Sequence, residues 1–324
     1  MREEATVSQN HWNTYEQEKL ENMTFSTAAD DWLASKRNEV KESSFAQYRR
    51  TVELTLKPMI GSTMMSRISE KDLNAFGDQI HDKYADKTLR SIVVTANQIL
   101  AHAYARGYTP NLRKVSIKLK ASKVSRPQVF SAMEQKTLTN YLLNNSDLKK
   151  LGILICMYTG LRLGEICGLK WSDIDLKRGV LKVVRTIQRI SDVEGSTRFL
   201  IGTPKSEASE REIPVPKFLQ ELLTANISHW DCYVLTGTEK FMQPRTYQNI
   251  LKRYFSDCDM PGYHFHSLRH TFASRAIEIG FDAKSLSEIL GHSNVRVTLD
   301  LYVHPSMEAK KREMERFSSF VECT

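Results

Sequence analysis

A chain of 324 residues exceeds what one hydrophobic core usually fills, so two domains are expected. Its 41% hydrophobic and 26% charged content is that of a soluble globular protein, without the ~20-residue apolar run of a membrane span or the apolar core of a secretory signal. The five cysteines form no C-x-x-C pair, which excludes a zinc ribbon and a disulfide framework and points to reduced thiols in a cytoplasm.

Residues 1–23 are polar and aperiodic, and read as a flexible tail. Four helices are then expected within residues 24–110. Thr27 and Asp30 resemble a capping box ahead of Trp32 and Leu33. Ser43 can cap a helix carrying Tyr48, Val52 and Leu56, stopped by Pro58 and Gly61. Ser69 opens a third, with Leu73, Phe76 and Ile80 on one face. Thr88 opens the fourth, carrying Leu89, Ile92, Val93, Ala96, Ile99, Leu100 and Ala103, with Gly107 placed to end it. Together they form an all-helical bundle with its own core.

Residues 111–126 lack a helical stripe, are strongly basic and read as a linker. They belong to a longer basic region, since no Asp or Glu occurs between Lys87 and Met133. Lys87, Arg90, Arg113, Lys114, Lys118, Lys120, Lys123 and Arg126 would repel one another unless a polyanion lay against them, which points to nucleic acid.

The second domain takes residues 127–324. A second capping box, Ser131 with Glu134, begins it, and helical patterns run through Leu138–Leu143 and Leu151–Tyr158. "GVLKVVRTIQRI" and "STRFLIGTPKSEASEREIPVP" have the β-branched, partly alternating look of strands, with Lys205 on an exposed hairpin tip. Helices resume from Phe218. An amphipathic tail helix over 306–324 spaces Met307, Met314, Phe317 and Val321 near heptad intervals.

"GYHFHSLRHTF" poses the chemical question: do His264, His266 and His270 hold a metal, or does the segment grip an anion? Zinc sites pair histidines with carboxylates or thiolates at short spacing, and the nearest downstream acid is Glu278. On a helix His266, Arg269 and His270 share a face, so a metal cation would sit beside a guanidinium that cannot lose its charge. No metal and no cofactor is expected. His264 and His270 read as histidines that satisfy core hydrogen bonds. Arg162, in the apolar setting of "TGLRLGEICGLK", is either paired with a carboxylate such as Glu165 or aimed into a site.

Singly these signals are weak; together they resemble the tyrosine recombinase (phage integrase) family. That family's set of Arg, Lys, His-x-x-Arg, His and nucleophilic Tyr is matched in chain order. The matches are Arg162 in "TGLRLGE", Lys205 in "TPKSEASEREIPV", His266 and Arg269 in "HSLRHTFAS", His292 in "LGHS" and Tyr302 in "TLDLYVH". The resemblance implies a mainly α chain, with an all-helical, SAM-like core-binding domain. The catalytic domain would be mixed but mostly helical, with a small antiparallel sheet. It implies cutting and rejoining of double-stranded DNA through a 3′-phosphotyrosyl intermediate, without metal or ATP, for integration or excision of a mobile element.

In that scheme Arg162 and Arg269 clamp the phosphate, His292 and His266 bond its oxygens, and His266 carries the tyrosine's proton. Lys205 protonates the leaving 5′ oxygen, and Tyr302 attacks phosphorus. The expected assembly is a tetramer on paired sites, joined through the C-terminal tail, with DNA-bending or directionality factors as further partners. The 23 residues before the bundle are too few for an arm-site-binding domain. Three alternatives stay open: chromosome-dimer resolution, a type IB topoisomerase, and a non-catalytic regulator. The last arises because residues 282–302 also pass for a helix-turn-helix.

Overall fold

The computed structural model describes residues 22–117, 127–145, 147–202 and 210–302, with positions 311, 314 and 315 of the tail. The chain divides into two compact units, Met1–Val124 with Ile190–Arg198, and Ser125–Arg189 with Phe199–Thr324.

In the first unit α1 spans Phe25–Lys36. Its cap is Thr24, whose hydroxyl accepts from the Thr27 amide at 3.2 Å, so the helix starts ahead of the Thr27–Asp30 box. Helix α2 begins at Glu42 after Lys41, one residue before the expected Ser43 cap, and runs through Thr51. It continues past that point through a π turn over Val52–Leu56, where the Lys57 amide reaches the Val52 carbonyl, and a last turn over Lys57–Ile60. The wide turn absorbs Pro58, which lacks the amide an α-helix would need there.

Helix α3, Glu70–Lys83, has the reciprocal Ser69–Asp72 cap and buries Leu73, Phe76 and Ile80. Helix α4 spans Asp86–Ala105, starting before Thr88, because Ala85 already has the extended backbone of a cap. Their apolar stripes meet around Phe25, Trp32, Leu56, Phe76, Leu89 and Ile99. Fully burying such a side chain contributes about 1.5–3 kcal/mol.

The basic segment is not all linker. Asn97 Nδ2 donates to the Val115 carbonyl at 3.1 Å, and the Val115 amide donates to Asn97 Oδ1 at 2.8 Å. That paired bond, with Val115 buried in the core, fastens residues 111–117 to the helical unit. Periodicity could not show this, because the anchor is one polar side chain on α4.

In the second unit α5 (Ala132–Leu143) carries the expected Ser131–Glu134 cap. Helix α6 (Leu148–Thr159) is buried along most of its length and ends at Gly160, in the left-handed conformation at φ 68°. Helix α7 spans Leu163–Gly168. Strands β1 (Ile174–Asp175), β2 (Val180–Val183) and β5 (Arg211–Pro214) form an antiparallel sheet in the order β1-β2-β5. Strands β3 (Thr186–Ser191) and β4 (Thr197–Gly202) form a separate pair. Among the described residues, the strands either side of Lys205 therefore pair in different sheets and not with each other, while the expected tip itself lies outside those residues. Partner choice is a long-range decision that alternation cannot show.

Helices α8 (Lys217–Ala225), α9 (Pro244–Asp257), α10 (Phe265–Glu278), α11 (Ala283–Leu290) and α12 (Val295–Tyr302) follow. The main core gathers Trp171, Tyr247, Phe255, Leu154 and Ile155. A smaller cluster packs Ala273, Ala276, Leu286, Leu290 and Tyr302 together. Among the described residues, no helix is long and apolar enough to cross a membrane.

Candidate active site

The site is organised by two helix C-termini and one carboxylate. Gly160 ends α6 and Gly291 ends α11, both at positive φ (68° and 66°). A Cβ on Gly160 would come within 2.8 Å of Leu290 and Phe272, and one on Gly291 within 2.9 Å of the Arg211 guanidinium. Glycine is therefore required twice, by backbone conformation and by space.

The carbonyls these turns release point at guanidiniums. Arg269 donates to the carbonyls of Gly160 and Leu290, each at 2.7 Å. Arg162 donates to the Gly291 carbonyl at 2.8 Å, and Arg211 to the Ile289 carbonyl at 2.6 Å. A helix C-terminus carries partial negative charge, so it suits cations and fixes their direction.

Glu165, 4% exposed on the first turn of α7, joins the arginines. It accepts from Arg162 Nη1 at 2.7 Å and from Arg211 at 3.2 and 3.0 Å. Burial opposes its ionisation, but the bonds from Arg211 and the charges of Arg211 and Arg162 prevail and hold it down to about 2. Arg269, 2% exposed, is pulled down to about 9, by burial first and by the neighbouring Arg162 next. Protein groups thus fill part of each guanidinium's capacity while two arginines repel each other. An anion arriving here relieves that repulsion.

The histidines surround this cluster. His292 Nδ1 shares a hydrogen bond with the buried Thr298 hydroxyl at 2.8 Å, which fixes its ring. Its imidazole is pulled down to about 4 by burial, then by Arg269, Arg162 and Arg211. His266 is also drawn toward about 4 by loss of water and by His270 and Arg269, although solvent at its exposed edge tempers the effect. His264 caps α10, with Nδ1 bonded to Ser267 Oγ at 2.8 Å; it is exposed, so its bond closes a helix end and does not satisfy a core position. Tyr302, 8% exposed at the end of α12, places its hydroxyl 2.7 Å from His270 Nδ1. Burial raises the phenol, while Arg269 and Arg162 pull it back down.

The phage integrase family model matches residues 128–309, more than half of the chain, and the phage integrase central domain model matches residues 25–114. The chain belongs to the phage integrase family. A XerC-like tyrosine recombinase of Caldanaerobacter subterraneus subsp. tengcongensis is 30% identical over 213 residues, 58% of this chain and 53% of the relative. The ICEBs1 integrase of Bacillus subtilis is 22% identical over 305 residues, 88% of this chain and 80% of the relative. The Tn916 transposase of Enterococcus faecalis is 27% identical over 184 residues, 51% of this chain and 44% of the relative. This chain thus spans about half the length of the first and third.

The fold is shared with the Tn1549 transposon integrase solved with transposon right-end DNA, at a TM-score of 0.75 and 20% identity, over 91% of this chain and 100% of that one. It is also shared with a lambda integrase dimer bound to a core site, at a TM-score of 0.63 and 16% identity, over 89% of this chain and 79% of that one.

Within this family member, Arg162, His266, Arg269, His292 and Tyr302 lie in one cluster, drawn from the residue that caps α7, from α10, the α11–α12 turn and α12. Lys205 lies outside the described residues, on the segment between β4 and β5. Lys118, Lys120, Lys123 and Arg126 also lie outside them, as does most of the 306–324 tail. Lys87 and Arg90 are exposed near the start of α4, Lys114 is exposed and Arg113 half-buried. Among the described residues, no group of three or more His, Cys, Asp or Glu is arranged to hold a metal ion.

Sequence reasoning passed over Arg211, Thr298 and the contact made by His270. For Arg211 a signal existed. In β5 the residues alternate, and Arg211 shares the inward side with buried Ile213 while Glu212 and Pro214 face water. A charge at an inward strand position indicates a buried ion pair or a site.

Proposed function

We propose that this chain is a tyrosine-type site-specific recombinase that cuts and rejoins double-stranded DNA to integrate or excise a mobile element. One observation carries the reading. Arg162 and Arg269 are oriented by helix-end carbonyls in one cluster with His292, and Tyr302 lies within their field. A phosphodiester under attack gains negative charge on its non-bridging oxygens, and paired guanidiniums match that charge at any cellular pH.

In the proposed reaction Tyr302 Oη bonds to phosphorus and the bond to the 5′ oxygen breaks, leaving a 3′-phosphotyrosine. The linkage retains the ester's energy, so a new 5′ hydroxyl can be joined without ATP. Arg162 and Arg269 bind the non-bridging oxygens, with His292 and His266 as further donors. Lys205 is the general acid for the leaving oxygen. With these cations at the phosphate no metal is needed, and activity should persist in excess EDTA.

Residues 24–110 of the first unit, with the segment fastened after them, are the core-binding domain. Lys87, Arg90, Arg113 and Lys114 meet the DNA backbone there. The tail over 306–324 docks on a second copy in a tetramer on paired sites, with DNA-bending or directionality factors as further partners. The mobile-element reading is favoured because the ICEBs1 integrase matches over 88% of this chain.

The test uses nicked duplexes carrying candidate element ends, whose short cleaved strand diffuses away and traps the adduct. Wild type should form a denaturant-resistant protein–DNA adduct. Tyr302→Phe should bind equally well and form none, and an adduct from that variant would remove Tyr302 from the role.

A further inference from the structure

We infer that His270, outside the set of residues matched to the family, is the base that takes the proton from Tyr302 as it attacks. The inference rests on Tyr302 being the nucleophile and names the group that activates it. His270 Nδ1 lies 2.7 Å from the tyrosine hydroxyl, and this is the one hydrogen bond that hydroxyl makes among the described residues. His266 sits one turn earlier on α10, with its ring edge-on to His270 at 4.8 Å between centroids. It makes no hydrogen bond to Tyr302 among the described residues, so the neighbour of the reacting oxygen is His270.

The tautomer follows from the contact. A hydroxyl can donate to Nδ1 only if that nitrogen keeps its lone pair, which places the ring proton on Nε2. An imidazolium would present two donors and could accept nothing. Burial, with Arg269 and His264 nearby, pulls His270 down to about 4, so at neutral pH the ring is the acceptor that this contact requires.

The step balances. Tyr302 Oη bonds to phosphorus, its proton passes to His270 Nδ1, and the bond from phosphorus to the 5′ oxygen breaks. The leaving oxygen takes its proton from the general acid assigned to Lys205. In rejoining, a 5′ hydroxyl attacks phosphorus and returns its proton to the neutral Lys205 amine, the phosphotyrosyl bond breaks, and the phenolic oxygen recovers its proton from His270. The imidazolium formed between these steps lies near Arg269, and the negative charge on the non-bridging oxygens of the phosphotyrosyl diester offsets that repulsion.

The experiment measures adduct formation by the full chain on the nicked duplex. His270→Ala should bind DNA as wild type does and slow cleavage by roughly 10²–10⁴-fold, the usual worth of a general base. His270→Gln can still accept a hydrogen bond from Tyr302 but cannot take its proton, so it should be as slow as His270→Ala. Recovery of the wild-type rate by Gln would reduce His270 to a positioning residue.

Replacing Tyr302 by a trifluorotyrosine, ionised without help at neutral pH, should restore most of the rate lost in the His270 variants. It should not rescue His266→Ala. The proposal is overturned if His270→Ala cleaves as fast as wild type or faster, or if the fluorinated residue rescues His266→Ala but neither His270 variant. Failure of the underlying reading shows separately, as an adduct formed by Tyr302→Phe.

Discussion

Each unit holds a charged network, one at its rim and the other buried. In the first, Asp31 receives His102 Nε2 at 2.8 Å and the Tyr108 hydroxyl at 3.1 Å, with Arg106 at 3.8 Å. The acid is more than a third exposed at its edge, and its partners serve to fasten α1 to the end of α4. In the second, Glu165 is almost fully buried and receives two arginines, with a third close enough to feel its charge. Balanced charge at a rim is what fold stability requires. A surplus of buried cations costs stability, and persists where a ligand supplies the missing charge.

The sharpest way to break this comparison is to remove each acid. Glu165→Gln should cost about 3–5 kcal/mol, the usual penalty for stranding buried charge, and abolish adduct formation. Asp31→Asn, at a solvent-reached pair, should cost about 1 kcal/mol or less and leave cleavage intact. Urea midpoints and the adduct assay read both. Equal losses would mean that the two networks are the same kind of structure.

The glycine turns come next. Gly160→Ala should cost at least about 1–2 kcal/mol from backbone conformation alone, with repacking of Leu290 and Phe272 in addition. Gly291→Ala should displace Arg211 and lower cleavage more than it lowers the melting temperature. A variant that melts lower but cleaves normally would show that the carbonyls do not set the guanidiniums' positions.

A third effect is smaller and depends on pH. His292 in the folded protein sits at about 4, below its ordinary 6.5. Between those values the unfolded chain binds a proton that the folded chain refuses, so stability should fall as pH drops from 6.5 toward 4. A bound phosphate raises the imidazole's affinity for a proton, so DNA binding near pH 6 should take protons up. Binding enthalpies in buffers of different ionisation heat would show the uptake, and His292→Gln should reduce it.

The smallest effect lies on the first unit. Replacing both Lys87 and Arg90 by Ala should reduce the slope of log affinity against log salt by roughly 2 and weaken all sequences alike. An unchanged slope would place the DNA elsewhere.

The sequence by itself determined the helices whose apolar stripes repeat, such as Leu73–Phe76–Ile80 on α3 and Leu89–Ile99–Ala103 on α4. Helical order there follows from neighbours a few residues apart. It also displayed Arg162, His266, Arg269, His292 and Tyr302, because each sits in a short local pattern. Three things were left to the tertiary structure. Helix ends shifted where an unforeseen residue offered a better cap, as Thr24 did for α1. The strands flanking Lys205 parted into two sheets, because strand pairing joins residues far apart in the chain. And Arg211 reached Glu165, 46 positions away, while His270 met Tyr302 across 32. Hydrogen bonds over such separations leave no periodic trace, since only packing of the intervening helices brings their ends together.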